Sequence, residues 1–176
     1  MTEEKNIDQS FIQEIRQLWS AEKMLTLSMP AMIEKATNFG LKKNLAHHLA
    51  ETDQHKVALE AICKQLGFKA DGEDNQDMKA ILDEGENSIN REKSGKELDA
   101  AIITSALKVE QYEISAYFAA ASHAESLGYE GIAKRLYLTL EEERQADTKL
   151  NFLKKNFIDE SSEIGIQERE IAEMIK

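Results

Sequence analysis

Seven residues in this chain carry oxygen or imidazole donors where a helix that packs in a core would place apolar side chains: Glu22, Glu51, His55, Glu110, Glu113, Glu143 and Asp147. Glu22 stands seven after Ile15, four after Leu18, three before Leu25 and seven before Met29, the offsets of a buried stripe. Ala106, Glu110, Glu113 and Tyr117 repeat that pattern further along. Ile132, Leu136, Leu140, Glu143, Asp147 and Leu150 form another row, and Leu45, His48, Glu51, His55, Ala58 and Ile62 a fourth. Burying one unpaired carboxylate costs on the order of several kcal/mol, and a cluster of them also repels itself. No Lys or Arg lies on these rows between the acids, so metal cations are the natural compensation. The six carboxylates carry six negative charges; two divalent cations leave two of these uncompensated, and two trivalent cations leave none. Hard oxygen donors with one or two imidazoles suit iron or manganese, with zinc an acceptable third.

The spacing also sets a common depth. Glu113 and Glu143 are 30 apart with their midpoint at Gly128, inside a predicted turn. Glu22 and Glu51 are 29 apart, and their midpoint falls near Ala36 and Thr37, about one helical turn short of Gly40. The two halves echo each other, Glu22 with Glu51-x-x-x-His55 and then Glu113 with Glu143-x-x-x-Asp147. In this reading Glu22 and Glu143 are terminal or bridging ligands, with Glu51 and Glu113 the other direct carboxylates. His55 and Asp147 complete each end, and Glu110 shifts on and off. Gln54 is the alternative neutral ligand to His55. His48 either supports Glu51 from behind or serves as a capping or solvent-facing residue.

Four long helices of roughly 26 to 31 residues must position these groups. The first is expected from about Asp8 to Thr37, kinked at Pro30, and ended by Asn38-Phe39-Gly40 with Gly40 in a left-handed cap. The second runs from about Leu41 to Leu66 and stops at Gly67. Residues 67–95 form a long crossover. It contains a solvated acidic linker, which lacks the ligand order of a calcium loop, and a short helix from about Gln76 to Asn90. Ser94-Gly95-Lys96-Glu97 has the form of a capping box and opens a helix to about Ser126. A turn at Leu127 to Gly131 leads to a helix from Glu130 to about Phe157, and a short terminal helix follows within residues 164–175. Tight turns force two antiparallel hairpins. A crossover able to travel the roughly 40 Å length of the bundle gives an all-α, ferritin-like four-helix bundle, expected as a single domain over residues 1–176.

Composition narrows the function. With 33 acidic against 22 basic residues the net charge is −11, which opposes binding to nucleic-acid phosphates or to an anionic membrane surface. One proline and eight glycines leave few turns and disfavour strand-rich folds. The single cysteine, Cys63, rules out an internal disulfide and a zinc site built from several cysteines, and reads as a buried inert thiol. No signal peptide or membrane span is recognisable, so a reducing cytoplasm is the expected location. Trp19 is expected in the core, His123 in a structural role, and Tyr112 and Tyr117 as packed residues with satisfied hydroxyls.

These segments together resemble the ferritin-like superfamily, and more closely the YciF-type stress protein family, the bacterial domain of unknown function 892. The resemblance is carried by Leu18-Trp19-Ser20-Ala21-Glu22-Lys23, His48-Leu49-Ala50-Glu51-Thr52, Val109-Glu110-Gln111-Tyr112-Glu113-Ile114 with Ala116-Tyr117, and Leu140-Glu141-Glu142-Glu143 through Ala146-Asp147. It covers about Phe11 to Leu153 and implies a rubrerythrin-like bundle, a two-metal carboxylate centre, a homodimer and a link to bacterial stress. It brings no established reaction. Glu110-x-x-Glu113 is similar to the doubled glutamates on the third helix of rubrerythrins. The chain departs from the superfamily's Glu-x-x-His pattern: its partners stand four apart, and Asp147 occupies the place of a second histidine. The expected function is a dinuclear protein that handles dioxygen, peroxide or ferrous iron. The alternative is a metal-independent helical scaffold acting as a homodimer.

Overall fold

A computed structural model describes residues 8–156. Phe157 and the expected terminal helix lie outside these residues. Five helices follow in order: α1 (Gln9–Lys35), α2 (Phe39–Leu66), α3 (Gln76–Arg91), α4 (Lys96–Ser126) and α5 (Glu130–Lys154). No strand occurs among the described residues.

Local chemistry sets the ends, in two places differently from expectation. Gly40 is not a left-handed cap but sits in the first turn of α2. Asn38 starts that helix, its side-chain oxygen accepting from the Leu41 N–H at 3.0 Å, and α1 ends on Ala36 in extended geometry. A capping asparagine so close to the end of α1 starts the next helix before a glycine turn is needed. The capping box at Ser94 does not form either. Gly95 is the N-cap, with φ +79°, and no side chain caps the helix there. The left-handed glycine delays the first helical residue to Lys96, so Glu97 falls too early to reach back. Gly67, at φ +83°, stops α2 as expected, and the Phe68 N–H returns to the Cys63 carbonyl at 3.0 Å. α1 continues as one helix through Pro30, which is exposed.

The hairpins α1–α2 and α4–α5 pack against each other through α1 on α4 and α2 on α5. Contacts at successive depths make α1 and α4 antiparallel: Thr37 with Asp99, Glu22 with Tyr117, Glu14 with His123. α2 and α5 are antiparallel as well, since Lys43 and Asn44 near the start of α2 line one groove with Phe152 and Leu153 near the end of α5. The crossover runs the length of α1. It begins where Arg16 Nε donates to the Lys69 carbonyl at 3.0 Å and ends where Lys35 Nζ meets Asn90 Oδ1 at 2.5 Å. This is the one-crossover arrangement of ferritin-like bundles.

Two residues pin the frame. Asp99 accepts from the Thr37 N–H at 2.7 Å, the Thr37 hydroxyl at 2.6 Å and the Asn38 N–H at 2.9 Å, tying the start of α4 to the α1–α2 turn. Asn75, buried in the otherwise exposed acidic linker, accepts from the Met78 N–H at 2.8 Å. It also donates to the Gln17 carbonyl at 3.0 Å and to the Tyr112 hydroxyl at 2.5 Å. Trp19 is half-buried rather than sealed in the core, and its indole N–H donates to Glu60 at 3.0 Å. Cys63 is buried, and burial pushes its thiol up to about 11, in keeping with an inert role. His123 Nδ1 lies 3.0 Å from Glu14 with the ring edge-on to Phe11.

The apolar core falls into three clusters. Two are end plugs: one gathers Phe11, Ile15, Leu59, Ala120 and Leu136, and the other gathers Leu41, Leu45, Ile102, Ile103 and Leu150. The third, Ala21, Leu25, Met29, Met78 and Val109, lies where α1 meets α3 and α4. The layer between the two plugs is polar.

Candidate metal centre

That polar layer takes one residue from α1 (Glu22), two from α2 (His48 and His55), two from α4 (Glu110 and Glu113) and one from α5 (Glu143). All six are buried, Glu22 and Glu143 completely. Their donor atoms fall into two groups, His48 with Glu110, Glu113 and Glu143, and Glu22 with His55 and Glu143, within each of which the atoms lie no more than 4.8 Å apart. Glu143 belongs to both. Its Oε1 is 2.9 Å from His55 Nδ1, and its Oε2 is 3.9 Å from His48 Nε2. His48 Nε2 is also 3.1 Å from Glu110 Oε1, and His55 Nδ1 is 3.4 Å from Glu22 Oε1.

Several of these separations are short, yet the atoms are not aligned as hydrogen bonds. Both oxygens of Glu113 and of Glu143, one oxygen each of Glu22 and Glu110, both nitrogens of His48 and Nδ1 of His55 have no hydrogen-bond partner among the described residues. Buried polar atoms are normally satisfied. Nine donor atoms that crowd together without bonding each other fit a layer whose partners are cations. Only Glu22 has a firm neutral partner, the buried Tyr117 hydroxyl, which donates to its Oε1.

Burial raises Glu22, and drives Glu110 and Glu113 well above the usual carboxylate range; the neighbouring carboxylates add to the rise in each case. Burial likewise pushes the Tyr117 phenol well up, reinforced by Glu22 and Glu143. The histidines respond in the opposite sense. Burial alone would lower His48, but Glu51, Glu110, Glu143 and Glu22 outweigh it and hold it at about 9. His55 is treated the same way by Glu143 and Glu22 and held at about 11. With no Lys or Arg in the layer, these two imidazoles are the groups that the carboxylates push toward the cationic form.

Five of the seven residues singled out in the sequence therefore meet: Glu22, His55, Glu110, Glu113 and Glu143. Glu51 and Asp147 stand outside both groups. Glu51 is half-buried at the rim, 3.1 Å from His47 and 3.7 Å from His48, and the His48 contact lowers its carboxyl. Asp147 is half-buried and accepts from Asn151 Nδ2 at 3.1 Å. Gln54 is exposed, and His55 rather than Gln54 enters the layer. His48 is the residue the sequence reading undervalued. It stands seven before His55, two turns along the same face of α2, and that spacing was the available signal. Glu142, which the sequence reading does not single out as a site residue, touches His55 Nε2 at 2.7 Å.

The wider comparison agrees with this architecture. Protein YciF of Escherichia coli strain K12 is 32% identical over 160 residues, which cover 90% of this chain and 96% of that protein. The crystal structure of the E. coli stress protein YciF matches with a TM-score of 0.83 at 33% identity, covering 88% of this chain and 98% of the other. YcfI of Rhodopseudomonas palustris matches with a TM-score of 0.79 at 34% identity, covering 84% and 96%. The model of a domain of unknown function, DUF892, matches residues 6–163. No described helix is long and apolar enough to cross a membrane. The chain belongs to the DUF892 family, alongside the YciF proteins.

Proposed function

We propose that this chain holds a dinuclear iron or manganese centre and acts on peroxide, dioxygen or ferrous iron during bacterial stress, as a cytoplasmic homodimer. The observation that carries the reading is Glu143, a fully buried carboxylate whose two oxygens face two different donor groups. When bound, a pair of iron or manganese ions would supply two-electron redox chemistry and a Lewis acid for a small oxygen ligand. The chain's own residues supply the rest. Glu22, His55 and Glu143 would hold one ion; His48, Glu110, Glu113 and Glu143 would hold the other. Glu51 and Asp147 are retained in the proposed set as outer carboxylates. The apolar plugs on either side keep bulk water away from the layer. Tyr117 fixes one Glu22 oxygen, leaving the other for a cation. His48 and His55 hold protons that an incoming cation must displace.

Elemental analysis after expression in medium rich in iron and manganese tests this. About two ions per chain are expected in the wild type and fewer than one in Glu143→Ala, with peroxide consumption lost in parallel. A metal-free wild type would overturn the proposal. One observation favours the metal-independent scaffold instead: two imidazoles sit among the acids, and the carboxylates around them raise both toward the charged form, which offsets part of the negative charge. Under that reading chelation leaves the melting temperature unchanged.

A further inference from the structure

The two histidines of the layer differ in what stands behind them. His55 turns Nδ1 toward Glu22 and Glu143, at 3.4 and 2.9 Å, and its opposite nitrogen, Nε2, meets Glu142 Oε2 at 2.7 Å. His48 has a looser support, since Glu51 Oε2 is 3.7 Å from its Nδ1 while the other Glu51 oxygen lies 3.1 Å from His47. Glu142 is 49% exposed, so this carboxylate reaches from the surface of α5 to the back of a fully enclosed imidazole on α2. A carboxylate accepts, so the hydrogen of this bond belongs to Nε2. Once a cation displaces the Nδ1 proton, the neutral ring that remains keeps its hydrogen at Nε2 and presents its lone pair at Nδ1, into the space shared with Glu22 and Glu143.

We propose that Glu142 is a positioning residue that fixes the orientation and tautomer of His55, so that Nδ1 is the nitrogen offered to a cation. The inference rests on the dinuclear reading above and deepens it. Outer carboxylates behind a ligating imidazole set its ring angle and raise its basicity, and losing one typically lowers metal affinity by about 10–100-fold. It also makes the two halves of the layer unequal: the Glu22–His55 half is braced from outside at 2.7 Å and the His48 half more loosely at 3.7 Å.

The test has two arms, each on the full chain labelled with ¹⁵N-histidine. Without metal, the His55 Nε2–H signal is expected to be visible and slow to exchange with water in the wild type. It should be retained in Glu142→Gln, whose amide oxygen still accepts, and lost in Glu142→Ala. A wild type in which this hydrogen exchanges freely overturns the proposal whatever the metal content. In the second arm Zn(II) alone is the probe. Wild-type ¹⁵N shifts should report Nδ1 as the bound nitrogen of His55. Affinity should fall about 10–100-fold in Glu142→Ala, by less in Glu142→Gln, and stay unchanged in the neighbouring control Glu141→Gln. Equal Zn(II) affinity in wild type and Glu142→Ala overturns the role of Glu142 and leaves the dinuclear reading standing. Absence of metal uptake by the wild type in any metal overturns the dinuclear reading instead.

Discussion

Glu113 is the least compensated side chain in the molecule's polar layer. It is 1% exposed, neither oxygen has a hydrogen-bond partner among the described residues, and its carboxyl is held well above its ordinary range by burial and by Glu143, Glu22 and Glu110. Glu113→Leu, which keeps the bulk and removes the polar group, should therefore stabilise the chelated protein by about 1–4 kcal/mol in urea unfolding while reducing its metal uptake. The titration of the same layer gives a second prediction with a definite sign. Glu110 and Glu113 are raised from 4.5, His48 from 6.5 to about 9 and His55 from 6.5 to about 11. A group whose folded pKa lies above its unfolded one binds more protons when folded. Its stabilisation is complete below the unfolded value and lost as pH rises through the folded one. The metal-free protein should thus weaken steadily above about pH 4.5, with the His48 contribution lost between 6.5 and about 9. Melting in chelator at pH 6 and at pH 9 checks this, the lower temperature being expected at pH 9.

Among the elements, the joints matter more than the helices. Asp99 accepts three hydrogen bonds from the α1–α2 turn and is nearly buried. Asp99→Ala should cost about 1.5–3 kcal/mol, read as a lower urea midpoint with an unchanged slope. Asp99 was not legible in the sequence, because an acid in the first turn of a helix is ordinarily read as complementing the helix dipole. Asn75 was hidden in the same way, lying in a stretch whose charge predicts only solvation. The four long helices were legible because their apolar residues recur at helical spacing over several turns, and the acids Glu22, Glu110, Glu113 and Glu143 stood out as interruptions of that pattern. Asp147 shares a row with Glu143 but stands half-buried outside both donor groups, where Asn151 engages it. A shared row gives the approximate face of a helix, and a step of four residues already turns the side chain about 40° from its neighbour. The cap expected at Gly40 failed for a related reason: glycine permits a left-handed turn, but Asn38 had already opened the next helix.

For the whole molecule, the proposed cations couple the layer to folding. A ligand that binds only the folded chain stabilises it by about 2.7 kcal/mol at a hundredfold excess over Kd, which for a chain of this size is a rise of roughly 5–10 °C in Tm. Calorimetry with and without chelator at pH 7.5 should show that difference in the wild type and not in Glu143→Ala. One consequence follows from how the donors are shared out. The first group draws on α2, α4 and α5, and the second on α1, α2 and α5. Each therefore straddles the seam between the two hairpins, and neither hairpin owns a full set. A chain nicked within residues 67–75 by a protease would yield two fragments, each unable to grip an ion by itself. Metal retention after such a cut would report directly whether the severed halves stay clasped.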